Sequence, residues 1–244
     1  MEKRTNDFLS CQNCKEQFNI DLSSLDLTIT SGITEILGCG IYIVDYAAKK
    51  VCHISDNIAK MCGLNPRNIK VGNCDIFLKY VPDDDYKMLL EINNAAFSFL
   101  KPLPDEEIMQ YSVSYSFHLN NLLLHQTFKP LHVEKGFISL GLFILTLSSK
   151  NDIGHIVMRK KDEEDYYEYS LSKHTWESKH GIKLTEDEKM VLCLSAQGKT
   201  SEEIAKIMYR SINTIKSYKK EIFKKMNVNN IVAALICAIN NRFF

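Results

Sequence analysis

The sequence lacks a long apolar run and a net charge, and it contains a single Trp among 244 residues. Its longest apolar stretch, residues 136–147, is shorter than the ~20 residues that a membrane-spanning helix needs. No apolar core follows the charged residues at the N-terminus, so the pattern of a signal peptide is also missing. These absences predict a soluble, cytoplasmic protein with no membrane partner.

Catalytic and metal-binding patterns are also scarce. The eight Cys are scattered, and only Cys11 and Cys14 form a C-x-x-C, with no second ligand pair at the spacing of a zinc site. The seven His are dispersed, and no P-loop, H-E-x-x-H or Ser/His/Asp pattern occurs. We therefore predict no catalytic residues, no metal, no cofactor and no enzymatic activity.

The charge that is present is unevenly distributed. Residues 184–244 hold eight Lys and two Arg against six acidic residues, a net +4, so the preceding residues carry −4. A neutral whole can contain a basic module, and a basic module indicates a nucleic-acid partner.

The first 172 residues turn from a mixed pattern to strands. Residues 111–119, 123–133 and 137–147 have the aromatic and β-branched content of strands, and turn residues separate them. This pattern predicts an antiparallel meander. A hairpin is expected at residues 40–45 and 49–55, and short strands at 155–159 and 166–171.

The C-terminal region shows four capped helices. Thr185 and Glu188 form the pattern of a capping box, and Gly198 ends that first helix. The second helix begins near Thr200 or Ser201. After a break at residues 209–210, Ser211 caps a third helix of residues 212–226, and the fourth begins at residue 229 or 230.

The third helix is amphipathic. Its apolar positions, Ile215, Ile222, Phe223 and Met226, are three, four and seven apart, and its other face carries Lys216, Lys219, Lys220, Lys224 and Lys225. The major groove of DNA admits one α-helix, and lysines near phosphate release counterions. A basic helix directly after a short capped helix predicts a helix-turn-helix domain that binds double-stranded DNA.

Residues 184–228 resemble the LuxR-type helix-turn-helix, also called NarL/FixJ or GerE. Its pattern is roughly LTxRExxVLxLxxxGxxxxEIAxxLxxSxxTVKxHxxxIxxKL, and it is matched in register by Leu184, Thr185, Glu188, Gly198, Glu203, Ile204, Ala205, Ser211, Thr214, Lys216, Ile222 and Lys225. Met208 and Met226 replace Leu, and Ile215 replaces Val, with core volume conserved. Three departures concern surface or contact positions: Asp187 replaces Arg, Arg210 an apolar residue and Tyr218 the frequent His.

The resemblance implies a role for each face. Lys216, Ser217 and Lys220 would face the floor of the groove, and Thr214, Lys224 and Lys225 would lie nearer phosphate, with Lys219 also among the DNA-binding residues. The fourth helix is the family's usual dimerisation surface, which here predicts a homodimer through Val232, Leu235, Ile236 and Ile239.

Residues 40–147 resemble a PAS domain. The residues that carry the likeness are GIYIVD, the hairpin after it, Asn57, Gly63, Gly72 and the V-P-D-D of residues 81–84. The resemblance implies a five-stranded antiparallel sheet with short helices on one face. Such a domain encloses a small ligand or pairs with another subunit. The predicted fold class is therefore α+β, with a four-helix all-α C-terminal domain.

We predict an N-terminal helical or extended segment at residues 1–32, a PAS-like sensor at 33–172, a linker at 173–183 and the DNA-binding domain at 184–244. The predicted function is transcription regulation in response to a small molecule or partner. Two alternatives keep the same DNA-binding output. One is a docking or dimerisation domain without a ligand. The other is a phospho-accepting receiver, for which Asp45 and Lys101-Pro102 would be the counterparts.

Overall fold

The computed structural model describes residues 2–10, 27–63, 65, 78–148 and 153–240. The chain forms two compact units, Met1–Lys179 and His180–Phe244. The described strands all lie in one sheet of the first unit, and the second unit is helical. This arrangement confirms the predicted α+β fold class. Among the helices described, none is long and apolar enough to cross a membrane.

The sheet begins with the predicted hairpin and meander. Its first five strands are β1 (Gly40–Asp45), β2 (Lys50–Ile54), β3 (Tyr111–Leu119), β4 (Leu122–Glu134) and β5 (Phe137–Leu147), in the spatial order β2-β1-β5-β4-β3. The hairpin β1–β2 thus adds to the edge of the meander through β1 and β5, with Tyr42 opposite Phe143. Antiparallel strands in this order, with helices between β2 and β3, form the PAS-like sheet that the sequence predicts.

The topology excludes the receiver alternative. A receiver alternates strand and helix around a parallel sheet, whereas each pairing between the described strands is antiparallel. Asp45 is 6% exposed, and its Oδ1 accepts a hydrogen bond from the Ala48 N–H at 2.8 Å. This carboxylate therefore stabilises the turn after β1.

Three further strands extend the sheet from five to eight. They are β6 (Ile156–Lys160), β7 (Tyr166–Ser170) and β8 (Thr175–Lys179), which continue beyond β3. The prediction of a linker at residues 173–183 is therefore wrong for β8. His174 makes the tight turn at φ 53°, and the Trp176 indole N–H donates to the Ala95 carbonyl at 3.2 Å. Packing of the single Trp against the helix Asp83–Leu100 stabilises β8. The charged residues around this Trp give the segment the composition of a linker, so the sequence pattern does not predict the strand.

Five helices of the first unit are described: α1 (Glu2–Leu9), α2 (Leu27–Leu37), α3 (Asp56–Met61), α4 (Asp83–Leu100) and α5 (Asp105–Ile108). The long helix α4 starts with three Asp, which favour a helix N-terminus, and it buries Leu89 and Ile92 in the core. Helix α1 lies within the predicted segment 1–32, and its Phe8 is 1% exposed in the same core.

The Asn and Gly of the PAS-like pattern have local roles. The Asn57 side chain donates to the carbonyls of Thr34 and Cys39 at 2.7 and 3.0 Å, which ties α3 to the chain before β1. Gly63 follows α3 at φ +69°, where a residue without Cβ is favoured. Gly72 lies outside the described residues.

The core of the first unit is aromatic and contains one buried polar cluster. Phe143 stacks on Tyr42 at 4.4 Å between ring centroids and contacts Phe128 at 4.9 Å. Gln126 is 1% exposed, accepts a hydrogen bond from the Tyr42 hydroxyl at 2.9 Å and donates one to the Tyr115 hydroxyl. We call Tyr42, Gln126 and Tyr115 the buried polar cluster.

The second unit contains the four predicted helices, α6 (Glu186–Ala196), α7 (Ser201–Ile207), α8 (Ile212–Lys225) and α9 (Ile231–Asn240). Capping boxes at Thr185 and Thr200 start α6 and α7; the sequence analysis predicts the first box and, for the second helix, only a start near Thr200 or Ser201. After α6, α7 and α8, Gly198, Tyr209 and Asn227 adopt positive φ. The turn between α7 and α8 is closed by bonds from the Tyr209 and Arg210 N–H groups back to α7.

Candidate nucleic-acid interface

Helix α8 starts with a defined cap. The Ser211 side chain accepts a hydrogen bond from the Thr214 N–H at 3.1 Å, and the two hydroxyl groups lie 2.9 Å apart. Thr214, predicted to lie near phosphate, therefore takes part in capping its own helix. The cap fixes where α8 begins, and so which side chains each face presents.

The two faces of α8 differ in polarity. Ile215 and Ile222 are fully buried in the core of the second unit. On the opposite side, Lys216, Lys220 and Lys224 are exposed and spaced four residues apart. Since a helix rises 1.5 Å per residue, they form a stripe about 12 Å long. Ser217 is exposed beside this stripe.

Two of the predicted lysines have other partners. Lys219 donates to the Ser201 hydroxyl at 3.0 Å, which ties α8 to the start of α7. Lys225 donates to both carboxylate oxygens of Glu188, at 2.9 and 2.7 Å. No ion pair links Lys216, Lys220 or Lys224 to the residues that the structure describes. We call Lys216, Lys220 and Lys224 the basic stripe. It contains fewer lysines than the set predicted from the sequence, because Lys219 and Lys225 have partners within the unit.

Glu188 has two roles: it completes the capping box of α6, and it pairs with Lys225 of α8. Its side chain is 5% exposed and accepts a hydrogen bond from the Thr185 N–H at 2.7 Å. Burial raises the pKa of the Glu188 carboxyl, but hydrogen bonds from Lys225 and Thr185 outweigh this effect, so the net pKa is below its ordinary value. The capping box predicts the local bond, whereas the contact with Lys225 comes from the packing of α6 against α8.

The predicted dimerisation face of α9 is partly described. Val232 is 62% exposed, whereas Leu235 packs against the core of its own unit beside the buried Ala234 and Ala238. The side chains of Ile236 and Ile239 lie outside the described part of the chain. Exposure thus leaves Val232 available for a partner subunit, and Leu235 has at least one role within the monomer.

The cysteines and acidic residues show no metal centre in the described part of the chain, where no group of three potential ligands is found. Cys11 and Cys14 lie outside that part. Burial raises the pKa of the Cys52 and Cys62 thiols to about 11. Both groups are therefore protonated at neutral pH and have little nucleophilic character.

Residues 183–238 match the family described as bacterial regulatory proteins, luxR family. No curated protein matches the sequence. Among solved structures, VqmA of Vibrio cholerae in the absence of target DNA is 18% identical, with 90% of this chain and 89% of that chain covered and a TM-score of 0.34. A phage VqmA in complex with DPO is 15% identical, with coverages of 91% and 92% and a TM-score of 0.32.

A third structure, SdiA in complex with octanoyl-rac-glycerol, is 16% identical, with 98% of this chain and 94% of that chain covered and a TM-score of 0.26. The family match identifies the C-terminal unit, because residues 183–238 include α6, α7 and α8 with its exposed lysines. Residues 183–238 therefore belong to the luxR family of bacterial regulatory proteins, and in this chain they follow a PAS-like N-terminal unit.

Proposed function

We propose that the exposed face of α8 enters the major groove and that the PAS-like unit regulates this binding in response to a small molecule. The regulator acts as a homodimer in the cytoplasm, where its DNA target is located, and it carries out no catalysis. Two copies related by a twofold axis would read two half-sites of a DNA operator.

The basic stripe on α8 is the main observation that supports α8 as the DNA-binding surface. Lys216, Lys220 and Lys224 are exposed on the face opposite to the buried Ile215 and Ile222. Lys216, Ser217 and Lys220 are the proposed groove contacts, with Thr214 and Lys224 nearer phosphate. Lys219 and Lys225 contribute charge but are held by Ser201 and Glu188. We therefore assign them a smaller part in direct contact.

Fluorescence anisotropy of the full chain with a labelled duplex, repeated over a range of salt concentrations, tests this surface. Lys216→Ala and Lys220→Ala should each weaken binding about 3–10-fold. Lys224→Ala removes a proposed phosphate contact and should reduce the slope of log K against log salt by about 0.9. Lys189→Ala is the control, since it removes the same charge from α6, where Lys189 pairs with Glu186. If Lys189→Ala weakened binding as much as the substitutions on α8, charge alone, and not this face, would determine binding.

The buried polar cluster supports the sensor role. Three polar side chains lie together in an aromatic core, and each is about 1% exposed. Burial of polar groups costs free energy unless they are hydrogen-bonded, and these three side chains meet that need through one another. We propose that a small molecule with polar groups binds beside this cluster, with the aromatic rings around its apolar part.

Native mass spectrometry of the purified full chain tests the sensor. A reproducible bound mass is expected, and it should disappear in the triple variant Tyr42→Phe, Gln126→Leu, Tyr115→Phe. The triple variant removes the polar atoms together and keeps the shape of the core, so it is expected to fold. A bound mass that survives in this variant would place the ligand elsewhere.

A docking or dimerisation role without a ligand is the second candidate. It is favoured by the tight aromatic packing, since Phe143 contacts both Tyr42 and Phe128 at the centre of the sheet. For this candidate, native mass spectrometry should show the protein without a bound mass. A separate experiment tests the oligomeric state. If α9 forms the dimer contact, Val232→Glu should shift the protein toward the monomer in sedimentation velocity.

A further inference from the structure

One carboxylate oxygen in the second unit joins two helices and the turn between α7 and α8. Asp187 lies in the first turn of α6, and its Oδ2 accepts a hydrogen bond from the Tyr218 hydroxyl of α8 at 2.6 Å. The Arg210 guanidinium, in the turn between α7 and α8, lies 3.6 Å from the same oxygen. The hydrogen bond to Asp187 raises the pKa of Tyr218 above its ordinary value. Because the acceptor is a carboxylate oxygen, the bond is charge-assisted, which makes it stronger than one between neutral groups.

These three residues are also the three surface positions at which the sequence departs from the LuxR-type pattern. Tyr218 and Asp187 are 31 residues apart, so the sequence gives no sign that the departures belong together. In the structure they contact one another. An Arg at position 187 could not accept the hydrogen bond that Tyr218 donates, whereas Asp187 accepts it and leaves Arg210 to balance its charge.

The contact is placed where it can control the angle of α8. Tyr218 is half-buried in the middle of the helix, next to the exposed Ser217 and two residues from Lys216 and Lys220. Arg210 immediately precedes Ser211, the residue that caps α8. The contact therefore joins α6 to α8 at two places: at the start of α8 through Arg210, and at its middle through Tyr218. Both places lie beside the proposed groove residues.

We infer that Asp187 and Tyr218, with Arg210 as the balancing charge, are positioning residues that set the orientation of α8 in the groove and thereby its discrimination between DNA sequences. Base edges are read by hydrogen bonds with strict geometry, whereas contacts to phosphate carry no sequence information. A small rotation of α8 therefore reduces specific binding much more than non-specific binding.

The test uses the full chain and two duplexes of equal length: one selected from a random library by the unmodified chain, and one of unrelated sequence. The measured quantity is the ratio of the two affinities, from which the folded fraction of each variant cancels. Tyr218→Phe should lower the ratio about 5–10-fold. Asp187→Ala should lower it similarly, and the double variant should be no worse than either single one. Asp187→Asn should retain part of the ratio, because its amide oxygen still accepts a hydrogen bond.

Tyr209→Phe is the matched control. It removes a hydroxyl group from a tyrosine of the same motif that is 93% exposed and should leave the ratio unchanged. Independent, multiplicative losses from Tyr218→Phe and Asp187→Ala would overturn the inference, because the two residues would then act separately. An equal loss for both duplexes, or no loss with Tyr218→Phe, would do so as well.

Discussion

The two units of this protein place their polar chemistry in opposite places. In the N-terminal unit, polar groups such as Gln126 and Asp85 are buried within or beside an aromatic core. In the C-terminal unit, the core is a small aliphatic cluster, and the polar groups of the proposed interface are exposed on α8. The polar groups of the first unit are therefore placed to act within its core, and those of the second unit are placed to contact a partner at its surface.

The ways of holding the two units together also differ. The N-terminal sheet depends on pairings between strands distant in sequence, such as Tyr42 with Phe143. The C-terminal unit depends on local caps and on a few polar contacts between short helices, such as Lys225 with Glu188. Substitutions in each unit should therefore act through different physical causes, and four predictions test this contrast.

The largest effect is expected in the aromatic core. Phe143→Ala removes a fully buried ring from the centre of the sheet and should lower the free energy of unfolding of the N-terminal unit by about 3–5 kcal/mol. Chemical denaturation followed by hydrogen exchange measures this separately for each unit. Leu147→Ala, on the same strand but 67% exposed, is the control and should change stability by less than about 0.5 kcal/mol. Similar losses in both variants would contradict the burial argument.

The next effect concerns the buried polar cluster. Gln126→Leu leaves the Tyr42 and Tyr115 hydroxyl groups each with one hydrogen bond fewer in the core, which should cost about 2–4 kcal/mol. Tyr42→Phe, Gln126→Leu, Tyr115→Phe removes the partners together and should recover most of this loss. Thermal denaturation of both variants makes the comparison. If the triple variant is the less stable of the two, the hydrogen bonds of the cluster contribute net stability.

The ion pair of the C-terminal unit should make its stability depend on acid. Because the folded state holds the pKa of Glu188 below the ordinary 4.5, the stabilisation is present above that value and is lost as pH falls through the lower folded pKa. Glu188→Gln should cost about 1.5–3 kcal/mol at neutral pH and reduce the loss of stability in acid. Glu186→Gln, an 88% exposed side chain in the same helical turn, is the control. If Glu188→Gln loses stability in acid as much as the unmodified chain does, groups other than Glu188 cause the pH dependence.

The smallest effect is a gain. Tyr209 follows α7 at φ 52°, a conformation that costs a residue with a side chain about 1 kcal/mol. Tyr209→Gly should therefore stabilise the C-terminal unit by about 0.5–1 kcal/mol, as measured by denaturant titration. Gly198→Ala, at φ +79° after α6, is the reverse experiment and should destabilise the unit. Loss of stability in Tyr209→Gly would show that the tyrosine ring makes a favourable contact in the folded unit.

Sequence patterns predicted local features well. The capping box at Thr185, the start of α7 near Thr200, the Ser211 cap and the amphipathic α8 follow from residues three to seven positions apart, which is the range of contacts within a helix. The strands β3, β4 and β5 were equally clear from their composition. The strand β8 was missed, because its pairing with β7 and the packing of Trp176 override a segment rich in charge.

By itself, the sequence determined the α+β class, the order of the elements and the basic, amphipathic α8, since each depends on local periodicity, on caps or on a family pattern. The tertiary structure alone decided which lysines remain available, because Glu188 and Ser201 reach Lys225 and Lys219 only when α6, α7 and α8 pack together. It also decided that three departures from the family pattern meet at one oxygen of Asp187. Contacts between residues 18 or more positions apart, such as these, depend on the packing angle of the helices, which no local pattern specifies.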